Sequence, residues 1–222
     1  MRSGWRLDRT DRTRAKMKRR SCSAAVLDEA KQVTVPRFVA RNRIDLSPWV
    51  TLEEISVERN GSGVDVFHAF RQADYVQVLA MSAQGAFVLV RQYRAVIERW
   101  TIELPGGLRD PGERPEVTAA RELKEETGFE VTDLVPLVES HADVGRLTNK
   151  FFGFFALAKC VTGPSEAGTD VLLVSGEELA AHAAGGRLAS ASHIGLLYLA
   201  AIHPQVRELC RQCGFAAVPW LK

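Results

Sequence analysis

Residues Gly107 to Phe129 read GLRDPGERPEVTAARELKEETGF, and this stretch organises everything around it. Five residues separate Gly107 from Glu113, and seven more separate Glu113 from the run Arg121-Glu122-Leu123-Lys124-Glu125-Glu126-Thr127-Gly128-Phe129. Pro115 suits the first turn of a helix, where a missing N–H costs nothing. Gly128 supplies the stop. On such a helix, positions three and four apart share a face. Glu122 therefore stands beside Glu125 and Glu126, and three carboxylates crowd one helix end. Like charges so close repel unless a cation offsets them. Oxygen-only ligation of this kind suits Mg²⁺ or Mn²⁺, with waters and substrate phosphate completing an octahedron. Arg121 lies four residues before Glu125 and can pair with it. A divalent ion on a phosphate neutralises charge and lowers the pKa of a bound water, and a further carboxylate can act as general base. Glycines ahead of the helix bring the backbone close to the phosphates. The pair Glu125-Glu126 alone reads as the solvated face of an amphipathic helix; the complete spacing does not.

That spacing resembles the Nudix box at every defined position, with Leu123 and Phe129 in its two apolar slots. The resemblance implies an α/β/α sandwich with a mixed sheet, in the α/β (α+β) range, in which the box forms a loop–helix–loop. It implies Glu122 and Glu126 as metal ligands and the Gly106 carbonyl as an additional one. Glu125 becomes a further ligand or a positioner of water, while Glu113 and Arg121 support the loop–helix–loop. It also implies hydrolysis of a nucleoside diphosphate linked to another group. The flanking strings VRQYR (Val90–Arg94), ELPGG (Glu103–Gly107) and DPGE (Asp110–Glu113) resemble the ADP-ribose and sugar-nucleotide diphosphatases. In that subgroup an N-terminal hairpin helps form a homodimer, and its aromatics stack on adenine. Trp49 falls at such a position, with Phe67 a weaker candidate, and Arg94 and Gly107 are substrate contacts by the same resemblance. Base stacking is worth on the order of 1–3 kcal/mol; a strand residue packing a core or dimer seam is the competing reading of Trp49.

Two departures bear on substrate and base. The region after the box reads ADVGRLTNK (Ala142–Lys150), without the proline of many ADP-ribose enzymes and similar to other sugar-nucleotide members. GDP-mannose and UDP-sugars therefore stand beside ADP-ribose as substrates. The loop GPSEAGTD (Gly163–Asp170), where relatives place a catalytic acid, is sparse in acids. Glu166 is the first candidate for the base and Asp170 the second. A reading of another class is a non-catalytic nucleotide sensor, which the intact box carboxylates disfavour.

Outward from the box, Trp49 to Val57 alternates as a strand, Asn60-Gly61-Ser62-Gly63 marks a turn, and Val64 to Phe70 returns. Residues 46–73 are thus expected as an N-terminal hairpin and 74–222 as the hydrolase domain. Tyr75–Ser82, Ala86–Tyr93, Trp100–Leu104, Val131–Glu139, Phe151–Cys160 and Val171–Val174 read as further strands. Helical stretches begin near Ser175, run from about Ser190 to Ile202 with Ser190 as N-cap, and from Gln205 to Cys213.

The 222 residues are 46% hydrophobic and 25% charged, the balance of a soluble globular protein. No apolar run approaches the roughly 20 residues of a membrane span, and no apolar segment follows the charged N-terminus as in a secretory signal. The first 20 residues carry nine Lys or Arg against two Asp. Residues 1 to about 45 are expected as a basic, partly disordered tail and connector, with Met17 as an alternative start; the remainder is mildly acidic, and nucleic acid is not an expected partner. Cys22, Cys160, Cys210 and Cys213 are scattered, which suits a cytoplasmic setting. Cys210-x-x-Cys213 reads as two thiols one turn apart on a terminal helix. The five histidines read as packing or surface groups, His141 being the nearest downstream of the box.

Overall fold

The computed structural model describes residues 35–59, 63–161, 163 and 168–220. The basic tail, Met17, Cys22 and Glu166 lie outside the described residues.

The chain first builds a small antiparallel sheet from β1 (Arg37–Ser47), β2 (Val50–Glu58) and β3 (Val64–Arg71), in spatial order β1-β2-β3. Strand β1 corrects the expectation of a connector up to residue 45 and of a two-stranded hairpin. It went unread because every one of its residues is exposed, so it carries no burial pattern. Its arginines are matched by acids across the ladder instead, Arg37 opposite Glu58 and Arg43 opposite Glu53. Trp49 lies in the tight turn between β1 and β2, not within a strand.

A six-stranded mixed sheet follows, from β4 (Tyr75–Met81), β5 (Phe87–Arg94), β6 (Arg99–Glu103), β7 (Phe129–Ser140), β8 (Phe151–Cys160) and β9 (Thr169–Val174). The order is β6-β5-β4-β8-β7, with β9 along the other edge of β5. Strands β4 and β8 pair in parallel, and the other pairings are antiparallel. Alternation divides the side chains between two cores. Val76, Val78, Ala80 and Val88 meet Ala119 and Leu123 of α1 (Pro115–Thr127) on one face. Leu79, Met81, Phe87 and Leu89 meet Leu179 of α2 (Gly176–Ala184), Leu196 of α3 (Ala191–Ile202) and Val206 of α4 (Pro204–Gln212) on the other. Each buried Val, Leu, Met or Phe among them stabilises by about 1.5–3 kcal/mol. The expected α/β/α sandwich with a mixed sheet is the observed architecture. No helix among the described residues is long and apolar enough to cross a membrane.

Helix ends follow the sequence signals. Pro115 opens α1, and Gly128 closes it with φ 75°, its N–H bonded to the Lys124 carbonyl. Ser175 and Glu178 form a capping box on α2, and the Ser190 hydroxyl accepts from the Ser192 N–H at the start of α3. Cys210 and Cys213 lie at the end of α4 as free thiols.

Candidate active site

Strands β4 and β5 pair only at Ala80–Val88 and Met81–Phe87. Beside the first half of β4, the segment Pro105–Leu108 takes the place of a strand. Val78 N–H donates to the Pro105 carbonyl (2.8 Å) and Val76 N–H to that of Gly107 (2.9 Å). The glycines fit this approach. A Cβ on Gly106 would lie 2.9 Å from Gln77 Cα and closer still to the Val76 carbonyl oxygen. A Cβ on Gly107 would lie 2.6 Å from Glu122 Oε1, with the rest of that carboxyl nearer. The missing side chain of Gly107 is therefore the space in which Glu122 sits.

Helix α1 supplies the acids. Glu126 is 5% exposed, and its Oε2 accepts from the Gly106 N–H at 2.8 Å. The Gly106 N–H thus anchors one of the box acids. Arg121 does more than pair with Glu125. Its Nη1 donates to Glu122 Oε1 (2.8 Å) and Glu125 Oε2 (3.0 Å), while Nε and Nη2 reach Glu113 (3.2 and 3.1 Å) and Nη2 the Leu108 carbonyl (3.2 Å). Glu113 also accepts from the Thr118 hydroxyl at 2.8 Å. Arg121 and Thr118 hold its carboxyl down at about 2. The same contacts, Glu113 first, raise the Arg121 guanidinium further above its already high value.

These bonds revise one sequence argument. The carboxylate crowding on α1 is offset by Arg121, so crowding alone does not require a metal. Among the described residues, no three acidic, His or Cys side chains form a ready metal cage. The donor set nonetheless fits a hard divalent ion. Glu122 and Glu126 offer only oxygen, and both converge on a backbone turn with no side chain in the way. Mg²⁺ is commonly held by one or two carboxylates plus waters and phosphate, not by a closed protein cage.

On the α1 face of β5, Arg94 forms a bidentate pair with Glu103 (2.7 and 2.6 Å). Cross-strand register sets this up, since Val90 stands opposite Glu103 and Arg94 opposite Arg99. Burial pushes the Glu103 carboxyl up, but the hydrogen bonds from Arg94 and Thr101 together outweigh it, and the net value is lowered. Glu103 was legible in sequence only as part of the ELPGG string. A second polar network was missed altogether. On the other face of β4, Gln77 Nε2 meets His193 Nε2 at 2.8 Å, and the Ser192 hydroxyl donates to Gln77 Oε1 at 2.8 Å. His193 is completely buried, and burial lowers its pKa to about 4. Lone polar residues inside apolar runs gave no signal for this pairing.

The remaining candidates are dispersed. Trp49 is 72% exposed, and its backbone N–H donates to the Ser47 hydroxyl. Phe67 lies on β3 under the Arg59 guanidinium, 5.5 Å from the ring centroid. Asp170, the second candidate for the base, is turned away. It pairs with Arg91 on the face of β5 opposite α1. His141 Nδ1–H donates to the Asn149 carbonyl (2.9 Å), bracing the 142–150 loop.

The box geometry meets an independent match here. The family model of the NUDIX domain covers residues 71–183, just over half of the chain. The chain belongs to the NUDIX family. It is similar to the ADP-ribose pyrophosphatase of Bacillus subtilis (strain 168), 40% identical over 70 residues, 32% of this chain and 38% of that one. It is similar to the ADP-ribose pyrophosphatase of Mycobacterium tuberculosis (strain ATCC 25618 / H37Rv), 37% identical over 89 residues, 40% and 43% of the two chains. The ADP compounds hydrolase NudE of Escherichia coli (strain K12) is 32% identical over 106 residues, 47% and 57% of the two chains. The matched stretch thus spans less than two thirds of each of these relatives. A crystal structure of an ADP compounds hydrolase superposes with a TM-score of 0.66 at 22% identity, over 83% of this chain and 99% of that one, a likeness of fold. NUDIX hydrolases generally use a divalent metal, and in this chain Glu122 and Glu126 are the oxygen donors suited to it.

Proposed function

We propose that this NUDIX protein is a cytoplasmic, Mg²⁺-dependent hydrolase of ADP-linked sugars, with ADP-ribose converted to AMP and ribose 5-phosphate. The observation that carries the proposal is the convergence of Glu122 and Glu126 on the Gly106–Gly107 turn. The names of the B. subtilis, M. tuberculosis and E. coli relatives support the ADP-linked substrate.

Glu122 and Glu126 would hold Mg²⁺ (or Mn²⁺), with the Gly106 carbonyl as an additional oxygen donor. The ion supplies charge neutralisation on the diphosphate and a lowered pKa for bound water. The chain's own residues do the rest. Gly106 N–H aims the Glu126 carboxylate, and Arg121 fixes Glu122 and Glu125 while Glu113 braces Arg121. Gly107 gives its side-chain space to the Glu122 carboxylate and lies beside it as a substrate contact. Arg94, whose side chain is 47% exposed, presents its guanidinium to a phosphate or ribose while Glu103 orients it. Glu125 and Glu166 are the two carboxylates proposed to take the proton of the attacking water. Water adds to one phosphorus as the bridging P–O bond breaks, and the bridging oxygen leaves on the other phosphate.

The substrate-binding role of Trp49 needs a second subunit. We assign residues 74–222 to the hydrolase domain and the preceding sheet to a homodimer contact. On one face of that sheet Ile44, Val64, Val66 and Phe70 are exposed around half-buried Leu52. Strands β1 and β3 present this face without a helix or sheet packed on it among the described residues, and a second copy offers a matching apolar surface. In such a dimer Trp49 stacks on the adenine held by the partner.

The test is product release from ADP-ribose, GDP-mannose, UDP-glucose and dinucleoside polyphosphates, with Mg²⁺ and with chelator. ADP-ribose should be cleaved fastest and only with the metal. Glu126→Gln should lower turnover by about two orders of magnitude or more while the fold persists. Hydrolysis of none of these compounds by folded wild-type protein sinks the enzyme reading in favour of a nucleotide sensor.

A further inference from the structure

Strand β4 reads YVQVLAM, and Gln77 interrupts its apolar run. Val76 and Val78 point into the core under α1, so Gln77 shares the opposite face with Leu79 and Met81, towards α3. Helix α3 comes close at this place because Gly153, the β8 residue paired with Gln77, has no side chain. A Cβ there would run into Leu196 of α3 and stand 3.0 Å from Val138 Cγ1.

The first turn of α3 ties both ends of the Gln77 amide. The Ser192 hydroxyl donates to Gln77 Oε1 (2.8 Å), and Gln77 Nε2 donates to His193 Nε2 (2.8 Å). An amide nitrogen only donates, so His193 accepts here and carries its proton on Nδ1. Burial lowers the His193 pKa to about 4, which keeps the imidazole neutral and able to accept. The Ser190 hydroxyl, 2.7 Å from that of Ser192, extends the chain by one link.

On the main chain, the same residue supports the box. Strand β5 does not pair with this half of β4. The amides on either side of Gln77 bind the glycine turn instead, Val78 N–H at the Pro105 carbonyl (2.8 Å) and Val76 N–H at that of Gly107 (2.9 Å). Gly106 lies so close that a Cβ on it would stand 2.9 Å from Gln77 Cα. Its N–H anchors Glu126, and Glu122 fills the space beside Gly107. A shift of β4 at Gln77 therefore moves the support of both acids. Outer partners that orient metal ligands typically change metal affinity or activity by about 10–100-fold when removed.

We propose that Gln77 is a positioning residue of the box, a role that rests on the metal-dependent hydrolysis proposed for this site. Clamped by Ser192 and His193, it fixes the stretch of β4 on which the Gly106–Gly107 turn lies. That turn sets how Glu122 and Glu126 present their oxygens to the divalent ion.

Mn²⁺ binding to the full chain, followed by electron paramagnetic resonance as loss of the free-ion signal, tests this apart from catalysis. Turnover of ADP-ribose with Mg²⁺ is measured alongside. Gln77→Leu removes the amide and should weaken Mn²⁺ binding and lower kcat by about tenfold each. Ser192→Ala, which cuts one bond at a half-buried position, should do so by about threefold, whereas Ser192→Thr keeps the hydroxyl and should stay within about twofold of wild type. Adding Ser192→Ala to Gln77→Leu should weaken binding no further, because Ser192 acts through Gln77. Val206→Ala opens a cavity in the core under α4, on the face away from α1. It should lower the melting temperature and leave Mn²⁺ affinity and kcat unchanged. Wild-type Mn²⁺ affinity in folded Gln77→Leu overturns the proposal, as does wild-type affinity in Ser192→Ala should Gln77→Leu fail to fold. Additive losses in the double variant, an equal loss in Val206→Ala, or no Mn²⁺ binding by the wild type also overturn it. Weakened Mn²⁺ binding in the Gln77 and Ser192 variants upholds it even where no form hydrolyses a substrate, a result that would sink the hydrolase reading instead.

Discussion

Replacing Gly107 with alanine separates the chemistry of this site from its stability. The backbone at Gly107 is outside the left-handed region, so alanine meets no conformational penalty there. Its methyl would stand 2.6 Å from Glu122 Oε1, whereas ordinary contact begins near 3.4 Å. The carboxyl must retreat by about 1 Å. Because it is the end of a flexible side chain, the retreat costs little, about 1 kcal/mol or less. A misplacement of that size at a reacting centre costs on the order of 100-fold in rate. Gly107→Ala is therefore expected to melt within a few degrees of wild type, by about 4 °C or less, and to hydrolyse ADP-ribose about 100-fold more slowly. Gly106→Ala is the contrast. Its methyl would drive into the Val76 carbonyl and Gln77 Cα, which are backbone atoms of a central strand, so that variant should lose melting temperature first. Differential scanning fluorimetry and a coupled AMP-release assay measure the two quantities. Wild-type turnover in Gly107→Ala, or a melting loss equal to that of Gly106→Ala, would refute the reasoning that Glu122 works from the space beside Gly107.

Three further expectations follow from named contacts. His193 has a native pKa of about 4 against an ordinary 6.5, so the unfolded chain binds more protons between those values. Its stability contribution is complete above pH 6.5 and falls by about 3 kcal/mol as pH drops towards 4. Urea unfolding at several pH values should show this slope, and His193→Gln should remove its share of it; an unchanged slope counts against the buried neutral imidazole. Arg94→Ala leaves Glu103, 8% exposed, with Thr101 in place of its cation, and should cost roughly 2 kcal/mol, read as a lower urea midpoint. Ile44→Lys places a charge in the exposed apolar face of the N-terminal sheet and should convert the proposed dimer to monomer in sedimentation velocity. A wild-type protein that sediments as a monomer at all concentrations would dispose of the dimer instead.

The box was readable because it is local. Helix spacing alone brings Glu122, Glu125 and Glu126 to one helix end, and Pro115 and Gly128 delimit that helix through backbone chemistry that needs no neighbours. The strands of the central sheet were readable for a related reason, since burial of alternate faces leaves a period in the sequence. Strand β1 left none. Both its faces are exposed, and its stability comes from pairing with β2, including ion pairs to residues ten or more positions away.

By itself, then, the order of amino acids determined the hydrolase family, the layered architecture and the identity of the acids, all of which depend on short-range periodicity and spacing. Only the folded chain decided what surrounds those acids. Arg121 answers their charge, Gly107 yields its side-chain volume to Glu122, and Asp170 is turned to the far face of β5. Each of these outcomes depends on which strand lies beside which and in what register, and a one-residue slip would reverse every side chain.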